Sequence, residues 1–541
     1  MSGLPRPVDA GAAAAPSPPR ERSGRAATLV ATGILLSRLA GLVRQHFLAR
    51  YLGLGDAADA FNAAFRIPNF LQNLFGEGVL SASFIPVYAR LRASGDDEAA
   101  THVAGAVIAL LALATSLLVV VGILVTPWLI WLIAPGFAGA KRELTITLVR
   151  ILFPGAGLLV LSAWCLGVLN SHRRFLLSYS APIVWNLAII VALLWRGPVV
   201  KEFDLAVVAA WASVIGSALQ LIVQLPMVFV LLEHFRPVLE TASANVRTVI
   251  ANFGPVFVGR GVVQISGYID SAIASLLGMG ALAAITNAQA LYMLPVSLFG
   301  MSVSAAELPA MSSALGGDAE VAEYLRTRLD AGLRRIAFLV VPSAMAFLTL
   351  GDVLAAALFQ SGRFTHDDSV YVWSILAGSA VGLLASTLGR LYSSTYYALR
   401  DTKTPLRYAV VRVLLTGTLG FLFAIPLPRL LGIDVRWGAG GLTASAGISA
   451  WVEFTLLRRT LNSRIGRTGL RGSLVARLWF AAAAAAAVAW GARLLVGPRS
   501  SILLAVLTLI PYGAVYFAVT AALGVPEVRT VLSRVLRQRR G

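Results

Sequence analysis

The sequence predicts an all-α polytopic membrane protein of about fourteen transmembrane helices. Three observations lead there. Of the 541 residues 57% are hydrophobic and only 13% are charged, with a mean hydropathy of +0.78, which lies outside the range of soluble domains. The apolar residues fall in runs of the ~20 residues that a helix needs to cross a bilayer. The basic residues sit in the short loops between those runs, alternately dense and sparse, which is the pattern that topology imposes.

Residues 1–25 are rich in Pro, Ala and Arg, lack an apolar segment, and read as a disordered cytoplasmic leader, not a cleaved signal peptide. The spans follow at 26–47, 59–89, 102–133, 147–170, 180–196, 204–231, 248–278, 283–312, 335–359, 370–398, 406–425, 437–457, 475–496 and 500–523. An even number puts both termini on one side. That side holds the dense basic clusters, among them Arg173 with Arg174, Arg334 with Arg335, Arg458 with Arg459, and the Arg537, Arg539 and Arg540 of the tail. The opposite loops hold only Arg50, Lys141, Arg142, Arg196, Lys201, Arg363, Arg429, Arg436 and Arg499. The dense side is therefore the cytoplasmic one, since positive loops are retained inside. The charged connection 314–334 has Val321, Tyr324, Leu325 and Leu329 at amphipathic spacing, and is expected to lie along the membrane surface as a linker between two bundles.

A formal charge of +19 could suit nucleic acid, but its placement in short loops suits topology and anionic lipid headgroups instead. Membrane lipids are the expected partners, and nucleic acid is not. Cys165 is the single cysteine, so no intramolecular disulfide forms. The five histidines are scattered without a second ligand at helical spacing, so no metal site is expected. Walker and G-x-S-x-G motifs are absent, which argues against an ATPase, a hydrolase or a cofactor enzyme.

The second span carries the densest information. Asp59, Asn62, Arg66, Asn69, Asn73 and Glu77 are spaced by three or four residues and so share one helical face. Charges at membrane depth cost several kcal/mol, and normally face a bundle interior or a water-filled cavity. Pro68 and Pro86 interrupt this span, and Gly76 and Gly78 flank Glu77, so bending is expected there. In the first span Arg38 and Arg44 lie about 9 Å apart along the axis and roughly 120° apart around it. Arg38, the deeper one, is expected to line the polar cavity, while Arg44 partly suits snorkelling to the interface. Planar guanidinium groups suit bidentate capture of phosphate oxygens. Arg260, Asp270, Glu307 and Arg390 are further intramembrane charges, each with a structural and a functional reading.

The stretches "SRLAGLVRQ", "DAFNAAFRIPNFLQNLFGEGVLSASFIPVYARL", "LFQSGRFT" and "YYALRDTKTP" resemble the MurJ (MviN) family of lipid II flippases, within the multidrug/oligosaccharidyl-lipid/polysaccharide exporter superfamily. The resemblance runs from about 26 to 525. It implies two pseudo-symmetric six-helix lobes, 26–231 and 232–457, then a helix pair at 458–525 that forms a groove for a polyprenyl tail, and a basic tail at 526–541. The lobes would rock to expose a central cationic cavity alternately to each side. Arg38 and Arg44 match the family's first-helix arginines, and Asp59 and Glu77 match acidic positions of its second helix. Where the family often has arginine this chain has Gln72 and Ala290, and Arg66, Arg260 or Arg390 would compensate.

The resemblance implies a bacterial inner-membrane flippase of lipid II, the undecaprenyl-pyrophosphate-linked muropeptide, with cell-wall synthesis proteins as further partners. Arg38, Arg44 and Arg66 would hold the pyrophosphate, and no bond is made or broken. Energy would come from membrane potential, an ion gradient or downstream consumption. The alternatives are an exporter of another polyprenyl-linked saccharide, a drug efflux protein, which the arginines disfavour, and a non-transporting scaffold, which has no need of a charged stripe.

Overall fold

The computed structural model describes residues 20–528 apart from 234, 315–316 and 498–499, and among these every regular element is a helix. Most of the leader and of the basic tail lies outside the described residues. Grouped by the lobes the sequence leads one to expect, the first bundle comprises α1 (Arg20–Leu52), α2 (Asp56–Phe75), α3 (Glu77–Ala93), α4 (Asp97–Ile133), α5 (Gly139–Ser171), α6 (Phe175–Arg196) and α7 (Glu202–Leu231). The second comprises α8 (Ala244–Ser275), α9 (Ala281–Pro295), α10 (Ser302–Ser312), α11 (Asp318–Phe359), α12 (His366–Ala398), α13 (Lys403–Ala424), α14 (Pro426–Leu430) and α15 (Gly438–Ile465). A π turn over Val296–Met301 joins α9 to α10. The final pair is α16 (Gly472–Val496) and α17 (Ser501–Ala522).

Local chemistry sets the helix ends. Asp96 starts α4 by accepting from the Ala99 N–H at 3.0 Å, and Thr365 and Asp368 close a reciprocal box at the start of α12. Asp401 accepts from the Lys403 and Thr404 amides, both at 3.0 Å, just ahead of α13. Inside the bilayer every freed backbone group needs a partner. Pro342 leaves the carbonyl of Phe338 without its helical donor, and the Tyr516 hydroxyl from α17 supplies one at 2.6 Å. Tyr512 donates to the Pro342 carbonyl at 2.6 Å, and Arg493 of α16 pairs with Asp352 at 2.7 Å, so the last two helices are fastened to α11.

Ten helices among the described residues are long and apolar enough to cross a membrane, by length and composition. Helices also occupy the other expected ranges, but α2 carries Asp56, Asp59 and Arg66 in 20 residues, and α3 is only 17 residues long. Length and apolarity therefore support ten spans among the described residues.

Two sequence expectations are corrected. The connection 314–334 is not a separate surface linker, because α11 runs from Asp318 unbroken as far as a kink at Leu350, and Leu325 and Leu329 are buried against the second bundle. Leu325 and Leu329 of the amphipathic pattern form the inner face of a long helix, while Tyr324 is exposed. The break in the second span falls at Gly76, not at Pro68, which α2 accommodates. A side chain at Gly76 would run into the carbonyl of Gln72, whose oxygen accepts from the Gly76 N–H at 2.6 Å.

Candidate functional site

The two bundles enclose a cavity of about 280 Å³ lined by Arg44 of α1, Asn62, Arg66 and Asn69 of α2, and Thr286 and Gln289 of α9. Asn62, Arg66 and Asn69, three and four residues apart along α2, turn towards this space. Arg44 stacks its guanidinium 4.6 Å from the centroid of Trp185 and 5.9 Å from that of Phe65. Its Nε is buried without a hydrogen-bond partner, and no carboxylate pairs with it among the described residues. Arg66 reaches across to α8, where it donates to the Gly267 carbonyl at 3.1 Å and to the Ser271 hydroxyl. The Tyr268 hydroxyl donates back to the Arg66 carbonyl at 3.3 Å. Asp270 is near enough to attract Arg66 electrostatically, and one of its oxygens is buried without a hydrogen-bond partner.

The other stripe positions separate. Asp59 does not face the cavity: it is fully buried at one end of the bundles, 2.6 Å from the Lys141 ammonium. It also accepts from the backbone N–H groups of Gly280 at 2.7 Å and Ala283 at 2.9 Å, at the start of α9. It thus joins the two bundles. Asn73 is exposed, and Glu77 opens α3 beyond the break, its side chain outside the described residues. Arg38 is exposed on α1 and is not among the residues that line this cavity, whereas Arg44 is. Helical geometry places them 120° apart, so only one can face a given side. Arg260 lies in α8 with its side chain outside the described residues. Glu307 is claimed by Arg335 at 3.2 Å and Arg328 at 3.3 Å, which favours the structural reading there. Gln72 and Ala290 do not line the cavity either.

The bundles meet at both ends. At the Asp59 end, Gln45 donates to Asn287 at 2.7 Å, the Gly136 N–H donates to Ser275 at 3.0 Å, and the Arg363 N–H donates to the Arg50 carbonyl at 2.8 Å. Towards the other end Phe75 packs against Phe253 and Phe257. Sequence reasoning missed Lys141 as Asp59's partner, and missed Trp185 and Gln289. An amide inside an apolar run was a usable signal for Gln289, whereas nothing marks Trp185.

Residues 48–513 match the family described as "Lipid II flippase MurJ". A Burkholderia cenocepacia protein named "Lipid II flippase MurJ" is 34% identical over 446 residues, 81% of this chain and 84% of that protein. A Rhizobium meliloti protein named "Probable lipid II flippase MurJ" is 31% identical over 527 residues, 93% of this chain and 94% of that one. Among solved structures, one described as "Lipid II flippase MurJ, inward closed conformation" superposes with a TM-score of 0.76 at 20% identity, covering 92% of this chain and 98% of that chain. An inward-facing multidrug resistance MATE family transporter of the MOP superfamily superposes with a TM-score of 0.66 at 18% identity, covering 81% and 98%. Both structural likenesses speak to the fold.

Proposed function

Because this chain belongs to the lipid II flippase MurJ family, we propose that it carries lipid II from the cytoplasmic to the outer leaflet of the bacterial inner membrane, with both termini cytoplasmic. The observation that supports a headgroup site is Arg44, a guanidinium inside the bundle with a buried unpartnered Nε and no acidic partner among the described residues. A charge held at membrane depth without a counter-ion is costly unless an anion is to meet it. The pyrophosphate of lipid II supplies that anion. Arg66 is the second donor, now engaged by α8, and Asn62 and Asn69 offer neutral hydrogen bonds beside it. Arg38 and Arg260 stand further along α1 and α8 as candidates for the path in.

About 280 Å³ lies below the roughly 300–1,000 Å³ of sites for drug-sized ligands, so a disaccharide–peptide headgroup requires the bundles to part. Alternating access is the motion that does this without opening both ends together. The contacts at the Asp59 end and those of Phe75 with α8 would then be broken in turn. The protein's contribution is binding and movement, with no bond made or broken.

The test is exposure of lipid II to a membrane-impermeant probe in cells depleted of their own flippase. Arg44→Ala removes charge-assisted hydrogen bonds worth about 1.5–3 kcal/mol, so transport should fall by roughly 10- to 150-fold with the protein still folded. Arg44→Lys should restore part of it, because a point charge lacks the planar fork. Full transport by a folded Arg44→Ala variant would remove the headgroup role.

A further inference from the structure

Three of the nine cations on the sparsely charged face, Arg50, Lys201 and Arg363, line a second pocket, of about 400 Å³. Its walls come from both bundles: the end of α1 and the α6–α7 connection on one side, Gly362 and Arg363 on the other. The Arg363 N–H closes the seam on the Arg50 carbonyl at 2.8 Å. Gly362 sits at φ +58°, and a side chain there would run into that same carbonyl. The close approach of the two bundles is therefore written into the sequence.

The charges in this pocket do not balance. Arg363 is ion-paired with Glu202, but Arg50 and Lys201 have no acidic partner among the described residues. Asp204 is exposed and does not line the pocket. Lys201 also immediately precedes α7, a 30-residue helix whose first turn carries Glu202 and Asp204, so the positive end of its dipole is already met and the excess charge rests on Arg50 and Lys201. Trp195, 73% exposed at the end of α6, marks the level of the lipid headgroups beside the pocket. On a face where topology keeps cations scarce, two uncompensated ones converge in a concavity at that level.

We propose that this seam pocket binds a phosphate-class oxyanion, and that the anion, touching both bundles, holds this face of the molecule shut. The Arg50 fork and the Lys201 ammonium are suited donors for phosphate oxygens. A ligand that binds only the shut arrangement shifts the population towards it. Two sources carry this chemistry, the headgroup of an anionic phospholipid and a soluble or lipid-linked pyrophosphate. The inference does not depend on Arg44 or Arg66 holding a headgroup.

The experiment is hydrogen exchange on the full chain in nanodiscs, read at residues 50–55 and 361–364, which include the Arg363 amide at the seam. Phosphatidylcholine discs titrated with inorganic pyrophosphate form one arm, and discs containing phosphatidylglycerol without added anion form the other. Slower exchange in the first arm alone identifies a pyrophosphate, and in the second a phospholipid headgroup. Arg50→Gln with Lys201→Gln should raise the anion concentration required at least ~10-fold, a Kd change of about 1.4 kcal/mol. Lys201→Gln alone, at an exposed position, should give a smaller shift in the same direction, and Arg429→Gln, another cation of this face, should give none. Protection in neither arm, or protection that survives the double variant, overturns the proposal. So does protection abolished by Arg44→Gln, which would place the anion in the central cavity.

Discussion

A carboxylate with no exposed surface is tolerable at Asp59 because three donors face it: the Lys141 ammonium and the amides of Gly280 and Ala283. The pair is not symmetric. Lys141 is 12% exposed and has a second acid, Asp56, at 3.1 Å, whereas Lys141 is the cation on which Asp59 relies. Lys141→Met should therefore cost the more, about 3–5 kcal/mol, because it strands a buried charge. Asp59→Asn should cost less, and the double variant less than the sum, measured by thermal unfolding of the purified protein. Strictly additive losses would mean that the two side chains are not coupled. His172, in the α5–α6 connection outside the spans, gives a pH signature. Burial, then the nearby Arg92, lowers its pKa from 6.5 to about 4, and it bonds the Tyr88 hydroxyl at 2.8 Å. A depressed pKa means that the unfolded chain takes up the proton first as pH falls. The contribution of His172 is thus complete above pH 6.5 and fades as pH drops towards 4. His172→Gln should flatten the Tm profile across that window, and an unchanged slope would assign the acid sensitivity elsewhere.

At the scale of elements, α2 and α3 show what a polar helical face does when its helix is broken. Cysteines replacing Asn62, Asn69 and Asn73 should react with a small aqueous thiol reagent, while those replacing Asp59 and Leu74 should not, since both positions are buried. The native Cys165 is buried and stays silent. Protection at Asn62 and Asn69 equal to that at Leu74 would mean that the cavity is closed to water. The sequence already showed Asn62, Arg66 and Asn69 as one face, because periodicity survives wherever a helix is regular. The helices themselves were legible because a bilayer admits only segments that satisfy their own backbone. Partners were not legible. Lys141 lies 82 positions from Asp59 along the chain, and Gly280 lies 221 away, so nothing local announces them. The choice between Arg38 and Arg44 also needed the neighbouring helices, since 120° of separation does not say which face turns inward. The start of α11 was misread because an amphipathic stripe does not say whether its apolar side, here Leu325 and Leu329, meets the membrane surface or a neighbouring helix.

At the scale of the whole molecule, the proposed alternating access requires the two bundles to separate at the end where Arg50 and Arg363 meet, and this contact can be locked. A Cβ built on Gly53 lies 3.4 Å from the Cβ of Arg363, close to the ~3.5–4.5 Å that a disulfide spans. Gly53 has φ +58°, so Cys there costs about 1–2 kcal/mol of backbone strain, small beside a covalent bond formed across the seam. The variant with both Gly53→Cys and Arg363→Cys should cross-link under oxidant in the membrane, and lipid II exposure should then stop. Reductant should restore it to the level of the reduced double variant, and each single variant should be indifferent to oxidant. The reversibility separates a blocked motion from a damaged fold, because Arg363→Cys also removes the ion pair with Glu202 and lowers the baseline in both redox states. An oxidised, fully cross-linked protein that still moved lipid II at the reduced rate would mean that this end never opens, and the headgroup would then need a route that leaves the Asp59 contacts intact.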